Sequence, residues 1–261
     1  MNKDEIVRAI RDERRRTLSF LRTLEPDQFD TPTALPGWRL REVIAHLITT
    51  DLASVTGANL LIVLGSMDRL ERWNDRRVPK WATRPIPDLL IGLDRWGRRM
   101  ARLARTLPAP VYGFRVPSIF GRAPIGLLVW SRAYDEWIHR QDMRRALGLP
   151  DEEVDLASPS EFLLTAIVSA VLPNVEGGGG DVGVSMEGAP VPAWRYDLGS
   201  GRGAPEDAGS KAAALVGGPA HSFLMAAAGR DSFDALRDEG RLSVEGDQEL
   251  ATRFLAKLRV V

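Results

Sequence analysis

Residues 125–147 read IGLLVWSRAYDEWIHRQDMRRAL, a run with the character of a buried helix that nevertheless carries three carboxylates and one imidazole in DEWIHRQD, residues 135–142. Burying charge is costly unless it is paired or bound to a metal, so these residues need partners. On a helix, residues four apart share a face: Asp135 and His139 can point at one centre, with Asp142 about one turn further on. Glu136, three before His139, is the rival carboxylate.

Three more helical runs precede this one. Asp4 to Leu24 repeats apolar residues at Ile6, Ile10, Leu18, Leu21 and Leu24. The link FDTPTALPGW leads into a second run from Leu40 to about Leu64, which contains His46. A polar, proline-punctuated link from Asp68 to Pro87 is followed by a third run, Asp88 to about Leu107, with Leu89, Leu90, Leu93, Trp96, Met100 and Leu103 as its stripe. Pro108 to Pro124 separates that run from the last. Four long helices imply an all-α four-helix bundle over residues 1–150, stopped by Gly148-Leu149-Pro150.

The pattern changes after that stop. VGVSMEG and AWRYDLGSG read as strands with turns, and Ala212 to Val216 and Leu242 to Val244 are further strand candidates. Phe162 to Leu172, Ala220 to Ala228 and Gln248 to Leu258 read as helices, giving a smaller α+β domain over residues 155–261. Gly177 to Gly180 reads as a flexible turn, since no lysine or helix start accompanies it as in a phosphate cradle.

Composition narrows the function. Formal charge is balanced at 35 basic and 35 acidic residues, so there is no overall surplus of cations to drive nucleic-acid binding. No cysteine is present, which excludes disulfides, thiolate ligands and a catalytic thiol of the protein's own. The N-terminus lacks the apolar core of a signal peptide and no run is long enough to span a membrane, so the chain is expected in the cytoplasm.

The chain has three histidines, and two of them fall inside apolar helical runs. Asp135 and His139 would form a two-ligand clip for a divalent ion, and His46 could add a third ligand across the bundle. Three protein ligands leave one position open, as in catalytic zinc. Spacing alone also allows a hydrogen-bonded His139 beside a solvated Asp135–Glu136 face. Gly37 and Trp38 are expected to set the turn into the second helix, with Trp38 lining a site as the lesser reading. Trp130 and Trp137 are expected in the core, and His221 is expected as a cap or surface residue.

Two segments carry a family resemblance. LPGWRLREVIAHL (35–47) and RAYDEWIHRQDMRRALGLP (132–150) resemble the two signatures of the mycothiol-dependent maleylpyruvate isomerase family, within the DinB-like superfamily. VGGPAHSFLMAAAGR (216–230) and LSVEGDQELATRFL (242–255) are similar to the sterol-carrier-like C-terminal domain found in that family. The resemblance implies zinc or a similar divalent ion on His46, Asp135 and His139. Where this chain has Asp135 the family pattern has Glu, which leaves Glu136 as an alternative ligand.

The resemblance also implies mycothiol as cosubstrate. The metal-bound thiolate of this low-molecular-weight thiol would add to an electrophilic small molecule, giving isomerisation or an S-transferase conjugate. Asp142 would hold His139 or its helix neighbours, or else pair with Arg144 or Arg145, and Arg230 would meet a carboxylate of an anionic substrate. Its competing reading is a helix C-terminal charge favoured by the dipole. Two other readings stand beside this one: a thiol-independent metal hydrolase with Glu136 as base, and a non-catalytic small-molecule binding protein.

Overall fold

The structure is a computed structural model and describes residues 2–58, 67–118, 120–176, 179–205 and 212–260. Contacts divide the chain into two units, Met1–Ile119 with Ala123–Glu152, and Phe120–Arg122 with Glu153–Val261. The first is helical; the second carries a five-stranded sheet.

In the first unit α1 (Lys3–Leu21) begins at Asn2, whose side chain accepts from the Asp4 N–H and satisfies one of the helix's orphan donors. A 3-10 turn, Pro26–Asp30, and a loop lead to α2 (Leu40–Val55). The loop turns at Gly37, whose φ of +75° lies in the left-handed region that favours glycine. The Glu42 carboxylate then accepts from the Arg39 N–H at 2.9 Å and caps the helix start. Helices α3 (Met67–Ala82) and α4 (Ile86–Thr106) follow. A single helical turn α5 (Ala109–Gly113), strand β1 (Arg115–Ser118) and α6 (Ile125–Ala146) complete the unit, while strand β2 (Gly121–Pro124) straddles the division, its first two residues falling in the second unit.

Helix α1 packs on α4 and α6, and α2 packs on the same two. Their shared core includes Leu18, Phe29, Leu40, Ile44, Leu47, Leu93 and Met143. Helix α6 is buried over most of its circumference, including Arg132, Glu136, His139, Arg140 and Asp142. Glu136 is therefore buried rather than part of a solvated face, Asp135 is half-buried, and Arg145 in the last turn is exposed. Trp130 and Trp137 are buried as expected, with Trp137 stacked on Tyr134.

Two expectations for this unit change. The proline-punctuated link contains helix α3, with Pro79 inside it. An interior proline costs about 3 kcal/mol. Burial of Val78 and Ala82 against Ala45, with Trp38 and Trp81 packed on them, opposes that cost. The guanidinium of Arg77 also lies 4.7 Å from the centroid of the Trp73 ring. Helix α2, expected to continue to about Leu64, ends at Val55 with Thr56 as its cap; residues 59–66 lie outside the described residues.

The second unit begins with α6's successor α7 (Ala157–Ala170). Strands β3 (Asp181–Glu187), β4 (Trp194–Asp197), β5 (Arg202–Pro205), β6 (Ala214–Pro219) and β7 (Ser243–Gly246) form the sheet in order β5-β4-β3-β6-β7. Only the β3–β6 pair among these is parallel. Helices α8 (Ala220–Ala227), α9 (Phe233–Asp238) and α10 (Gln248–Lys257) complete it. Strand β5 and helix α9 have no counterpart in the sequence reading, being short and weakly patterned. Of the Gly177–Gly180 run, the first two residues lie outside the described residues. His221, expected at the surface or as a cap, is buried in the first turn of α8. No helix among the described residues is long and apolar enough to cross a membrane.

Candidate metal centre

His46 enters from α2, and Asp135 and His139 enter from successive turns of α6. One donor atom from each lies within 4.8 Å of the others. His46 Nε2 is 3.7 Å from one Asp135 oxygen, and His139 Nε2 is 3.5 Å from the other. These separations exceed an N–H···O hydrogen bond. Each is close to the donor–donor separation of roughly 3.4 Å expected around an ion bound at about 2.1 Å, with each histidine facing a different oxygen of the carboxylate.

The far side of each ring is anchored. His139 Nδ1 lies 2.9 Å from Asp142 Oδ2, and His46 Nδ1 lies 3.3 Å from Asn74 Oδ1 on α3. Each oxygen accepts a proton carried on Nδ1, so each Nε2 presents its lone pair to the common centre. The rings meet edge to face with centroids 4.9 Å apart, and the Trp38 indole covers both, 5.1 Å from His46 and 6.5 Å from His139. Trp38 thus lines the site besides setting the turn into α2, which makes the lesser reading of that residue part of the structure.

Electrostatics favour the ligating forms. Burial pulls the His46 imidazole below its ordinary range, against the opposing pull of Asp135, so it stays neutral. Burial would raise the Asp135 carboxyl, but Arg132, then His139 and His46, more than offset this and hold it well below the ordinary carboxylate range.

Behind Asp135 runs a chain of alternating charges. Arg132 donates to Asp135 at 2.7 Å and to Asp51 at 3.2 Å. Asp51 also accepts from Arg14 of α1 at 2.8 Å. Arg14 Nε reaches both oxygens of Glu136 at 2.7 and 2.9 Å, and its Nη1 donates to the carbonyl of Leu93 in α4. Three carboxylates against two guanidiniums leave one negative charge, and it is Asp135 that carries it to the histidines. Glu136 is held by α1, so of the two rival carboxylates it is Asp135 that groups with the imidazoles.

These donors fit a divalent ion: two imidazole Nε2 atoms, one charged carboxylate and a buried excess of negative charge. Replacing Asp142 with Asn is expected to weaken metal affinity by about 10- to 100-fold, because the ring it fixes would lose its charged partner. Competition against a chelating dye checks this; an unchanged affinity would show that Asp142 does not orient His139.

The sequence reading gave no role in the site to Arg14, Asp51, Asn74 or Arg132. Asp51 could have been found as a lone carboxylate five residues beyond His46 in an apolar run, whereas Asn74 sits in the helix that was read as a link. Arg230 lies in the second unit, where its Nη1 donates to the Ala228 carbonyl at 2.7 Å.

The sequence model of the mycothiol maleylpyruvate isomerase N-terminal domain matches residues 10–144. Among solved structures, the mycothiol-dependent maleylpyruvate isomerase superposes with a TM-score of 0.61 at 17% identity, covering 94% of this chain and 93% of that one. A His-to-Ala variant of mycothiol-dependent maleylpyruvate isomerase gives the same score and coverage at 16% identity. At such identity the likeness shows the fold alone. A sterol carrier protein 2-like 2 from Aedes aegypti matches 39% of the chain with a TM-score of 0.32, too low to carry a fold assignment. No curated protein sequence matches the chain.

Proposed function

Because the chain belongs to the mycothiol maleylpyruvate isomerase N-terminal domain family, we propose that it is a mycothiol-dependent enzyme whose first unit, a four-helix bundle of α1, α2, α4 and α6, holds a divalent metal. His46, Asp135 and His139 are the ligands and zinc is the first candidate. The observation that carries this reading is the convergence of one donor atom from each residue within 4.8 Å of the others, with both Nδ1 atoms anchored from behind.

A divalent ion held there would supply a Lewis acid that favours the thiolate form of a thiol whose unperturbed pKa is about 8.5. The chain has no cysteine, so the nucleophile is a borrowed thiol. Asp135 contributes charge, while Asp142 and Asn74 fix the imidazoles. Trp38 excludes water from one side, which protects a nucleophile from competing solvent. Addition of the sulfur to one carbon of an electrophilic double bond gives an enolate; rotation about the resulting single bond and expulsion of the sulfur isomerise the double bond, whereas return to the enolate of the proton released by the thiol makes an S-conjugate.

Arg230 is proposed, on the family resemblance, to meet a substrate carboxylate. The second unit is proposed to be sterol-carrier-like on the same ground. The hydrolase reading is less favoured because Glu136, its base, is engaged by Arg14 on both oxygens.

The experiment is turnover of maleylpyruvate and of related electrophilic acids with and without mycothiol. Turnover that requires the thiol and saturates in it is expected. Equal turnover without any thiol would contradict the proposal in favour of hydrolysis, and tight binding of the acids with no turnover and no metal requirement would favour a binding protein.

A further inference from the structure

The groove between α1 and α4 holds a second concentration of charge that the metal centre does not use. A cavity of about 510 Å³ is lined by Arg11 and Arg15 of α1, by Arg22 at its C-cap, and by Arg98, Arg102 and Arg105 of α4. The spacings repeat helical turns, so each triplet lies along one face, spanning about 16 Å on α1 and about 10 Å on α4. Its floor is Arg14 and Gly97. A Cβ on Gly97 would fall on the Arg14 guanidinium, so the glycine is what lets that side chain pass under α4.

The neutralisation of this cluster is incomplete. Arg14 is taken up by Asp51 and Glu136, Arg15 pairs with Asp12 at 3.1 Å, and Arg98 pairs with Asp94 at 2.7 Å. Asp94 is the one carboxylate among the lining residues. Among the described residues, Arg11, Arg22, Arg102 and Arg105 have no acidic partner. The chain as a whole has zero formal charge, so this is a local accumulation and not the trace of a basic protein.

We propose that this groove binds a multiply phosphorylated small molecule of the nucleoside polyphosphate or inorganic polyphosphate class. Guanidinium forks match phosphate oxygens in pairs, and cations spread over 10 to 16 Å call for several anionic centres in one ligand (about the reach of three linked turns). The volume lies in the range of small-molecule pockets, roughly 300–1,000 Å³. An extended basic surface suited to nucleic acid would need more than this local stripe. The site does not depend on the metal centre for its ligand contacts.

Isothermal titration calorimetry of the full chain with sodium tripolyphosphate, and separately with ADP, tests the proposal. Saturable binding of either supports the shared chemistry, and the tighter of the two names its source. The paired reversals Arg11→Glu with Arg102→Glu, and Arg22→Glu with Arg105→Glu, are expected to weaken binding at least about tenfold. All four side chains are exposed, so both variants should fold. His46→Ala should bind as wild type does. Absence of saturable binding, equal binding by the reversed variants, loss in His46→Ala alone, or tighter binding of a short RNA than of either phosphate ligand would each overturn the proposal.

Discussion

Replacing His46 or His139 with Ala is expected to lower thiol-dependent turnover by about 10³-fold, with the helical content of the protein retained. In the proposed site each histidine supplies one of three donors, and two donors would hold a divalent ion too weakly to keep it in competition with solvent. Metal stabilisation of developing charge contributes several kcal/mol, and about 4 kcal/mol is about 10³ in rate. His46 and His139 are buried among other helices, so circular dichroism must accompany the assay. A variant that stays folded and turns over within tenfold of wild type would remove that histidine from the ligand set.

The second large effect is on stability. Arg14→Ala is expected to destabilise the protein by about 3–5 kcal/mol, because it leaves Glu136 without its cation and Asp51 with one of its two. Arg14 is buried and ties α1 to α2, α4 and α6 through side-chain and carbonyl contacts. Urea denaturation measures the loss directly. The double variant Arg14→Met with Glu136→Met should lose less than Arg14→Ala, since it removes the stranded charge together with its partner. A loss below about 1 kcal/mol in Arg14→Ala would mean that water or another cation compensates the carboxylates.

The grouping of His46, Asp135 and His139 was legible because its logic is local. Asp135 and His139 stand one helical turn apart, and His46 is one of few histidines, set in an apolar run where an imidazole needs a partner. The choice between Asp135 and Glu136 was not legible, because adjacent helical residues face different neighbours and only the packing of α1 gives Glu136 its guanidinium. The charge chain through Asp51 and Arg132 joins residues 81 apart in sequence, which periodicity cannot pair. Helix α3 was hidden by Pro79, since a proline argues for a break unless the turns around it bury enough apolar surface. Asn74, and so the anchor of His46, was lost with it. In the second unit β5 reads RGAP, with no bulky apolar residue and no buried position to mark it as a strand, whereas the equally short β4 carries Trp194 and Tyr196.

Metal content by inductively coupled plasma mass spectrometry, on protein purified without an affinity tag, tests the central claim most directly. The account expects about one zinc or similar divalent ion per chain in the wild type and almost none in His46→Ala and His139→Ala. A wild-type protein that is empty and takes up no added zinc would contradict it.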